Sequence, residues 1–263
     1  GNHCYINATA LACLRWLIAG QAWQGISDFR QALAQLAGLR LTTVHHVPSM
    51  LAWRAFLRGW PRPNEQHDAS EFLMYLLGAG VRATPLSQWV SIARRAGAIE
   101  IVELGAGVIY IDLPPGVERG SSALQHVLQA WHEQPCDRPG LHEPAHCVQG
   151  DETHVALALK RFCWMASERT FRKDDTPVTI PERCMLPVWG LGQVTWVPYD
   201  VRAVVVHIGA TPVSGHYRTY LPGAAEALFT EDGQRAKRVQ RRRDVQTNQT
   251  GCYLILLAKC CHG

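Results

Sequence analysis

No stretch of this chain is apolar over the length a membrane span needs, so it carries no candidate transmembrane helix. Neither sign of charge is in excess: 26 Lys and Arg stand against 22 Asp and Glu. The resulting formal charge of +4 is too small to make nucleic acid or an anionic membrane the expected partner. Internal repeats and coiled-coil heptads are lacking, which excludes solenoids and long supercoils. The first residues hold neither an initiator methionine nor a basic segment followed by an apolar one. A signal peptide is therefore not expected, and the chain reads as an excised region. A disulfide framework is not expected either, because the nine cysteines are odd in number and scattered through 263 residues. That usage points to a reducing, intracellular compartment, cytoplasmic or nuclear. What remains is an ordinary soluble globular balance, 47% apolar and 18% charged, with enough chain for a substantial core in one large or two modest domains.

Helical spacing dominates the first third. Ala8, Leu11, Leu14 and Ile18 recur at three and four residues, as do Phe29, Leu33 and Leu36. Further helices are predicted over Ala69 to Leu77 and Leu86 to Ala96, with Pro48, Pro61, Pro63 and Pro85 between them. The period then changes. Strands are predicted at Ile99 to Leu104, Val108 to Leu113, Val155 to Phe162, Val201 to Ile208, Tyr217 to Leu221 and Cys252 to Ala258. One helix, Ala123 to Trp131, interrupts them, and Pro135 to Asp151 reads as a loop. Helices first and strands second indicate an α+β architecture, with a site between the two parts.

A cysteine at a loop-to-helix entry has unsatisfied backbone N–H groups and the positive dipole end beside it, which favours thiolate over thiol. Cys4, in Gly1-Asn2-His3-Cys4-Tyr5-Ile6-Asn7, occupies such an entry. The competing reading is a small inert core thiol, and Cys13, on the apolar helix itself, fits that one. A base is offered by His216 in Ser214-Gly215-His216-Tyr217, where Gly215 leaves room for a peptide to pass the imidazole. An acid to orient the ring is available at Glu231-Asp232, although carboxylates before Gly233 also make an ordinary turn. Asp68 and Glu71, three apart at a helix start, form an Asp-x-x-Glu capping box, in which Asp68 caps backbone N–H groups and Glu71 reaches back.

Four segments, in order along the chain, resemble the signature boxes of the ubiquitin-specific protease family. They are the cysteine segment above, Gln66-His67-Asp68-Ala69-Ser70-Glu71-Phe72-Leu73, the Val155 to Phe162 segment ending Leu-Lys-Arg-Phe, and Ser214 to Tyr220. Val178 to Pro187 and Gly251 to Leu257 also resemble family strands. The resemblance implies a papain-like fold with a helical thumb (1–98) and a mainly β palm with shortened fingers (99–263). It implies a thiol-dependent deubiquitinase that cuts after the C-terminal glycine of ubiquitin, needs no cofactor, and has ubiquitin and ubiquitinated proteins as partners. Cys4 would be nucleophile and His216 base. Glu231 aligns with the usual Asp or Asn of the third position, and Asp232 is favoured over it because a longer Glu must bend to fill an Asp-shaped slot. Asp68 and Glu71 would face the Leu-Arg-Gly-Gly tail of ubiquitin. Gly215 and Tyr217 would line the tail channel with Tyr220, against the alternative that the tyrosines pack on a strand. The oxyanion takes the Cys4 N–H. The family's usual asparagine falls before Gly1, which leaves Asn2 as a substitute.

The family's paired Cys-x-x-Cys zinc knuckles have no counterpart here. Cys136, His142, His146 and Cys147 lie in that region with other spacing, so metal-free fingers are expected. The basic run Lys237 to Arg243 reads as a solvated loop against a nuclear address, and the nine tryptophans as packing residues. Two rivals keep the fold: a ubiquitin-binding pseudoenzyme, and a protease for a ubiquitin-like modifier.

Overall fold

The computed structural model describes residues 4–18, 59–62, 65–80, 87–114, 122–135, 141–150, 152–212, 214–222, 228–230, 237–238 and 248–260. Helix α1 (Cys4–Ile18) and helix α2 (Ala69–Gly80) precede the first strand. Strands β1 (Trp89–Arg95), β2 (Ala98–Gly105), β3 (Ile109–Ile111) and β4 (Ser122–Ala123) lead to helix α3 (Leu124–His132). Strands β5 (His142–Gln149), β6 (His154–Leu159), β7 (Phe162–Met165), β8 (Thr170–Lys173) and β9 (Val178–Thr179) follow. The chain continues with β10 (Arg183–Gly190), β11 (Gln193–Thr211), β12 (Ser214–Leu221), β13 (Leu228–Thr230), β14 (Lys237–Arg238) and β15 (Cys252–Lys259).

Eleven strands form one sheet, ordered β14-β13-β12-β11-β10-β5-β1-β2, with β15 joining β11 to β6 and β3 joining β6. The long strand β11 organises it. One edge of β11 pairs first with β10 and then with β12, and the other edge carries β15. Strands β6 and β15 are buried on both faces, which explains their continuous apolar runs, Val-Ala-Leu-Ala-Leu and Tyr-Leu-Ile-Leu-Leu-Ala. In β6 alternation also sorts the side chains by size. Ala156, Ala158 and Ala203 face α1 and α2 and leave space for the helices, whereas Leu157, Leu159, Ile255 and Leu257 fill the opposite face with α3. Each fully buried Leu or Ile contributes about 1.5–3 kcal/mol relative to exposure. No helix among the described residues is long and apolar enough to cross a membrane.

Three expectations need correction. Residues 86–96 are not a helix: Trp89–Arg95 is strand β1, hydrogen-bonded to β2 on one side and β5 on the other, with Val90 and Ile92 buried. The two-residue turn that follows, Ala96 (φ 49°) and Gly97 (φ 87°), has the left-handed backbone that matches strand twist, and the hairpin overrides the helical spacing. Strands therefore begin at Trp89, ahead of the expected boundary at residue 98. Pro135 to Asp151 is likewise not all loop, because His142–Gln149 is strand β5, antiparallel to β1 and parallel to β10. Its Pro144 sits beside a break in the register with β1, where a missing N–H costs no ladder bond. The run from Val155 to Phe162 is broken in two: β6 ends at Leu159, and β7 leaves in a separate hairpin with β8. The helix expected around Phe29 to Leu36 lies outside the described residues.

Candidate active site

Cys4 opens α1 and is buried, in the same core cluster as Tyr217 of β12. The two elements are docked directly, since Thr219 Oγ1 donates to the Ala8 carbonyl at 2.8 Å. His216 lies two residues before the buried Arg218, half-buried, at the less covered end of β12 and paired with Ile208 of β11. The fold thus brings the helix that begins with the thiol against the strand that carries the imidazole. Cys13 behaves as the inert alternative, its thiol pushed up to about 12 by burial.

The segment before α2 is densely tied. Asp68 Oδ1 accepts from the backbone N–H of Ser70 at 2.7 Å and of Glu71 at 3.3 Å, which is the predicted N-cap. It also accepts from Ser70 Oγ at 2.5 Å, while Oδ2 accepts from the Tyr253 hydroxyl at 2.6 Å. Ser70 Oγ lies 3.2 Å from the hydroxyls of both Tyr110 and Tyr253. Burial first, and then the Asp68 charge, push the Tyr253 phenol far above its ordinary range. Glu71 is exposed and, among the described residues, makes no return bond to the cap, so only the Asp68 half of the capping box forms.

Gly215 has a structural reason of its own to be glycine. Its φ is +134°, and a Cβ there would lie 2.4 Å from the Ile208 carbonyl and 2.9 Å from His207 Nε2. The protein's own backbone and a buried ring demand the missing side chain. Tyr217 and Tyr220 do not share a surface, because three positions along a strand reverse the face. Tyr217 is buried on the α1 side, and Tyr220 packs against the cluster on the other. Burial raises Tyr217 well above an ordinary phenol, with the charges of Asp68, Cys4 and Glu71 adding to it.

Four residues were given no role by the sequence, namely Gln66, Ser70, His207 and Tyr253. His207 is fully buried, and neither ring nitrogen has a hydrogen-bond partner among the described residues. Its ring stands against Tyr217 and Phe162 at centroid distances of 4.6 and 5.1 Å. Burial, aided by the Lys173 charge, lowers it to about 4, against smaller opposing effects of the Ser214 backbone, Asp68 and Asp175. A lone histidine inside Val204-Val205-Val206-His207-Ile208 was the available signal.

Asn2, Glu231, Asp232 and Cys136 lie outside the described residues, as does the basic run beyond Lys237-Arg238. His146 Nδ1 is 2.8 Å from Ser91 Oγ, and Cys147 Sγ is 3.8 Å from His132 Nδ1. No three His, Cys, Asp or Glu side chains among the described residues gather with the spacing of a metal site.

No family model and no curated protein sequence matches the chain. Solved structures do. The SAGA deubiquitinating module Ubp8/Sgf11/Sus1/Sgf73 bound to monoubiquitin matches with a TM-score of 0.69 and 13% identity, over 99% of this chain and 68% of that one. The chain has a ubiquitin-specific-protease-like fold. The same module bound to ubiquitin aldehyde gives 0.67, 13%, 99% and 68%. A yeast form of the module gives 0.66, 13%, 99% and 67%. This chain spans about two thirds of those chains, and at such identity the likeness carries the fold alone.

Proposed function

We propose that this chain is a cysteine-type deubiquitinase, hydrolysing the isopeptide or peptide bond after the C-terminal glycine of ubiquitin. The observation that carries the reading is the docking of α1, headed by Cys4, against β12, which holds His216, in a fold shared with a ubiquitin protease. In this reading α1 and α2 belong to the thumb and the large sheet to the palm of a papain-like enzyme.

His216 takes the Cys4 proton, and the thiolate attacks the terminal glycine carbonyl to give a tetrahedral oxyanion. The Cys4 N–H, with Asn2, stabilises that charge, and losing one such donor costs about 3 kcal/mol. Collapse breaks the C–N bond as His216 passes its proton to the departing lysine amine. Water, deprotonated by the same ring, then hydrolyses the thioester and returns the thiol. Asp232, with Glu231 as the neighbouring candidate, holds the imidazole tautomer. Asp68, Glu71, Gly215 and Tyr217 border the path of the tail, whose two glycines fit where a side chain would be blocked. A cytoplasmic or nuclear enzyme is the compartment this chemistry fits.

The test is hydrolysis of a ubiquitin linked through its C-terminus to a lysine side chain, followed for the wild-type chain and for Cys4→Ala and His216→Ala. Release by the wild type and its loss in both variants supports the proposal. A parallel substrate built on a ubiquitin-like modifier reads the specificity. Cleavage that persists in Cys4→Ala removes the assignment.

A further inference from the structure

Three consecutive residues ahead of α2 each hold a different part of the candidate site. The His67 ring packs on Tyr5, the residue after Cys4, at a centroid distance of 5.5 Å. Asp68 accepts from Tyr253 of β15. Gln66 faces the backbone of Gly215: with its amide oriented to satisfy both groups, the nitrogen donates to the Gly215 carbonyl at 3.1 Å and the oxygen accepts from the Gly215 N–H at 3.2 Å.

Gly215, exposed near the start of β12, takes this partner from outside the β11–β12 ladder. The β11–β12 register jumps from Ile208–His216 to Thr211–Ser214, so Gly215 falls in the irregularity and has no ladder position. Among the described residues, strand β13 pairs with β12 at Thr219, Tyr220 and Leu221, and none pairs with the other edge of β12 at Gly215. A backbone N–H and C=O lacking strand partners are satisfied here by one side-chain amide, which supplies the donor and acceptor another strand would have given. On its other flank Gly215 abuts the fully buried His207 ring. The residue is clasped from two sides, immediately before His216.

We infer that Gln66 is a positioning residue: its amide clasp on Gly215 fixes where the His216 imidazole stands relative to Cys4. The inference rests on the reading of Cys4 and His216 as a reacting pair. Gln66 acts through the backbone of the residue before the base, and its own place is set by the His67 and Asp68 contacts that follow it in sequence. Loss of the clasp frees the turn and lets the imidazole drift, and a shift of about 1 Å in a reacting group is enough to cost roughly 100-fold in rate.

The experiment reads the pair without a ubiquitin substrate. Alkylation of Cys4 by iodoacetamide, quantified by mass spectrometry of the Cys4 peptide in the full chain, is followed as a function of pH. A thiolate held by an imidazolium reacts well below the pH at which a free thiol ionises, and His216→Ala defines the profile of the thiol alone. In Gln66→Ala the wild-type reactivity at about pH 6 is expected to fall by about tenfold or more towards the His216→Ala profile. Gln66→Met keeps the length and bulk of the side chain without the hydrogen bonds, and is expected to fall equally, with a thermal midpoint close to wild type. A Gln66→Met or Gln66→Ala profile that matches wild type overturns the clasp. A wild-type profile that already matches His216→Ala overturns the pair itself, and the positioning role with it.

Discussion

His207 is a histidine whose chemistry is strongly altered by its surroundings. It is neutral when folded, because burial and the Lys173 charge oppose its protonation, and its folded value of about 4 lies below its ordinary 6.5. Between those values the unfolded chain binds more protons than the folded one, so acid favours unfolding. The contribution is complete above about pH 6.5 and is lost as pH falls towards 4, to a total of about 3 kcal/mol. His207→Phe keeps a ring against Phe162 and Tyr217 and removes the titration. Denaturant melts at pH 7 and pH 4.5 are expected to show a smaller loss for the variant than for wild type; an equal loss contradicts the assignment. His146 and His154, both also lowered by burial, give the residual slope shared by the two proteins. Arg161 is another unusual burial, its guanidinium donating to the carbonyls of Cys252, Asp174, Thr176 and Gln249. It ties the start of β15 to the segment after β8.

At the scale of elements, the parts legible in the sequence were those whose burial matches their period. Helix α1, α2 and α3 appeared at their spacing, and β2, β3, β12 and β15 as apolar or β-branched runs. Strand β1 and the turn joining β10 to β11 were hidden for one physical reason, although Val178 to Pro187 and Val201 to Ile208 had marked parts of β10 and β11 as strand. Both turns are two-residue left-handed loops, Ala96-Gly97 and Leu191-Gly192, and each places a residue other than Asn or Asp at its first position. Leu191, with φ 53° and full exposure, gives no turn signal in a sequence and reads as a core residue. Strand β5 was hidden by Pro144 at its register break. The same cause yields a stability prediction: Ala96→Asn places a residue that tolerates the left-handed region, and is expected to raise stability by about 0.5 kcal/mol in a denaturant melt. A loss of stability shows that Ala96 is held by contacts other than its turn.

Taken whole, the described residues form a sheet sandwiched between α1 and α2 on one face and α3 on the other, and the candidate site lies where α1, α2, β12 and β15 converge. The segments proposed to carry nucleophile and base stand out in the sequence because their residue types are rare in combination. The network that supports them was not, since Gln66, Ser70, His207 and Tyr253 come from four places in the chain and look ordinary in each. Only folding gives Tyr253 its bond to Asp68 across 185 positions, and Gln66 its bonds to Gly215. The central claim is that Cys4 and His216 react together on the end of ubiquitin. Its most direct measurement is covalent capture by ubiquitin carrying a C-terminal electrophile, read as the mass of the adduct. The account predicts a one-to-one adduct on Cys4, absent in Cys4→Ala and at least about tenfold slower in His216→Ala. An unmodified wild-type chain, or an adduct that survives Cys4→Ala, contradicts it.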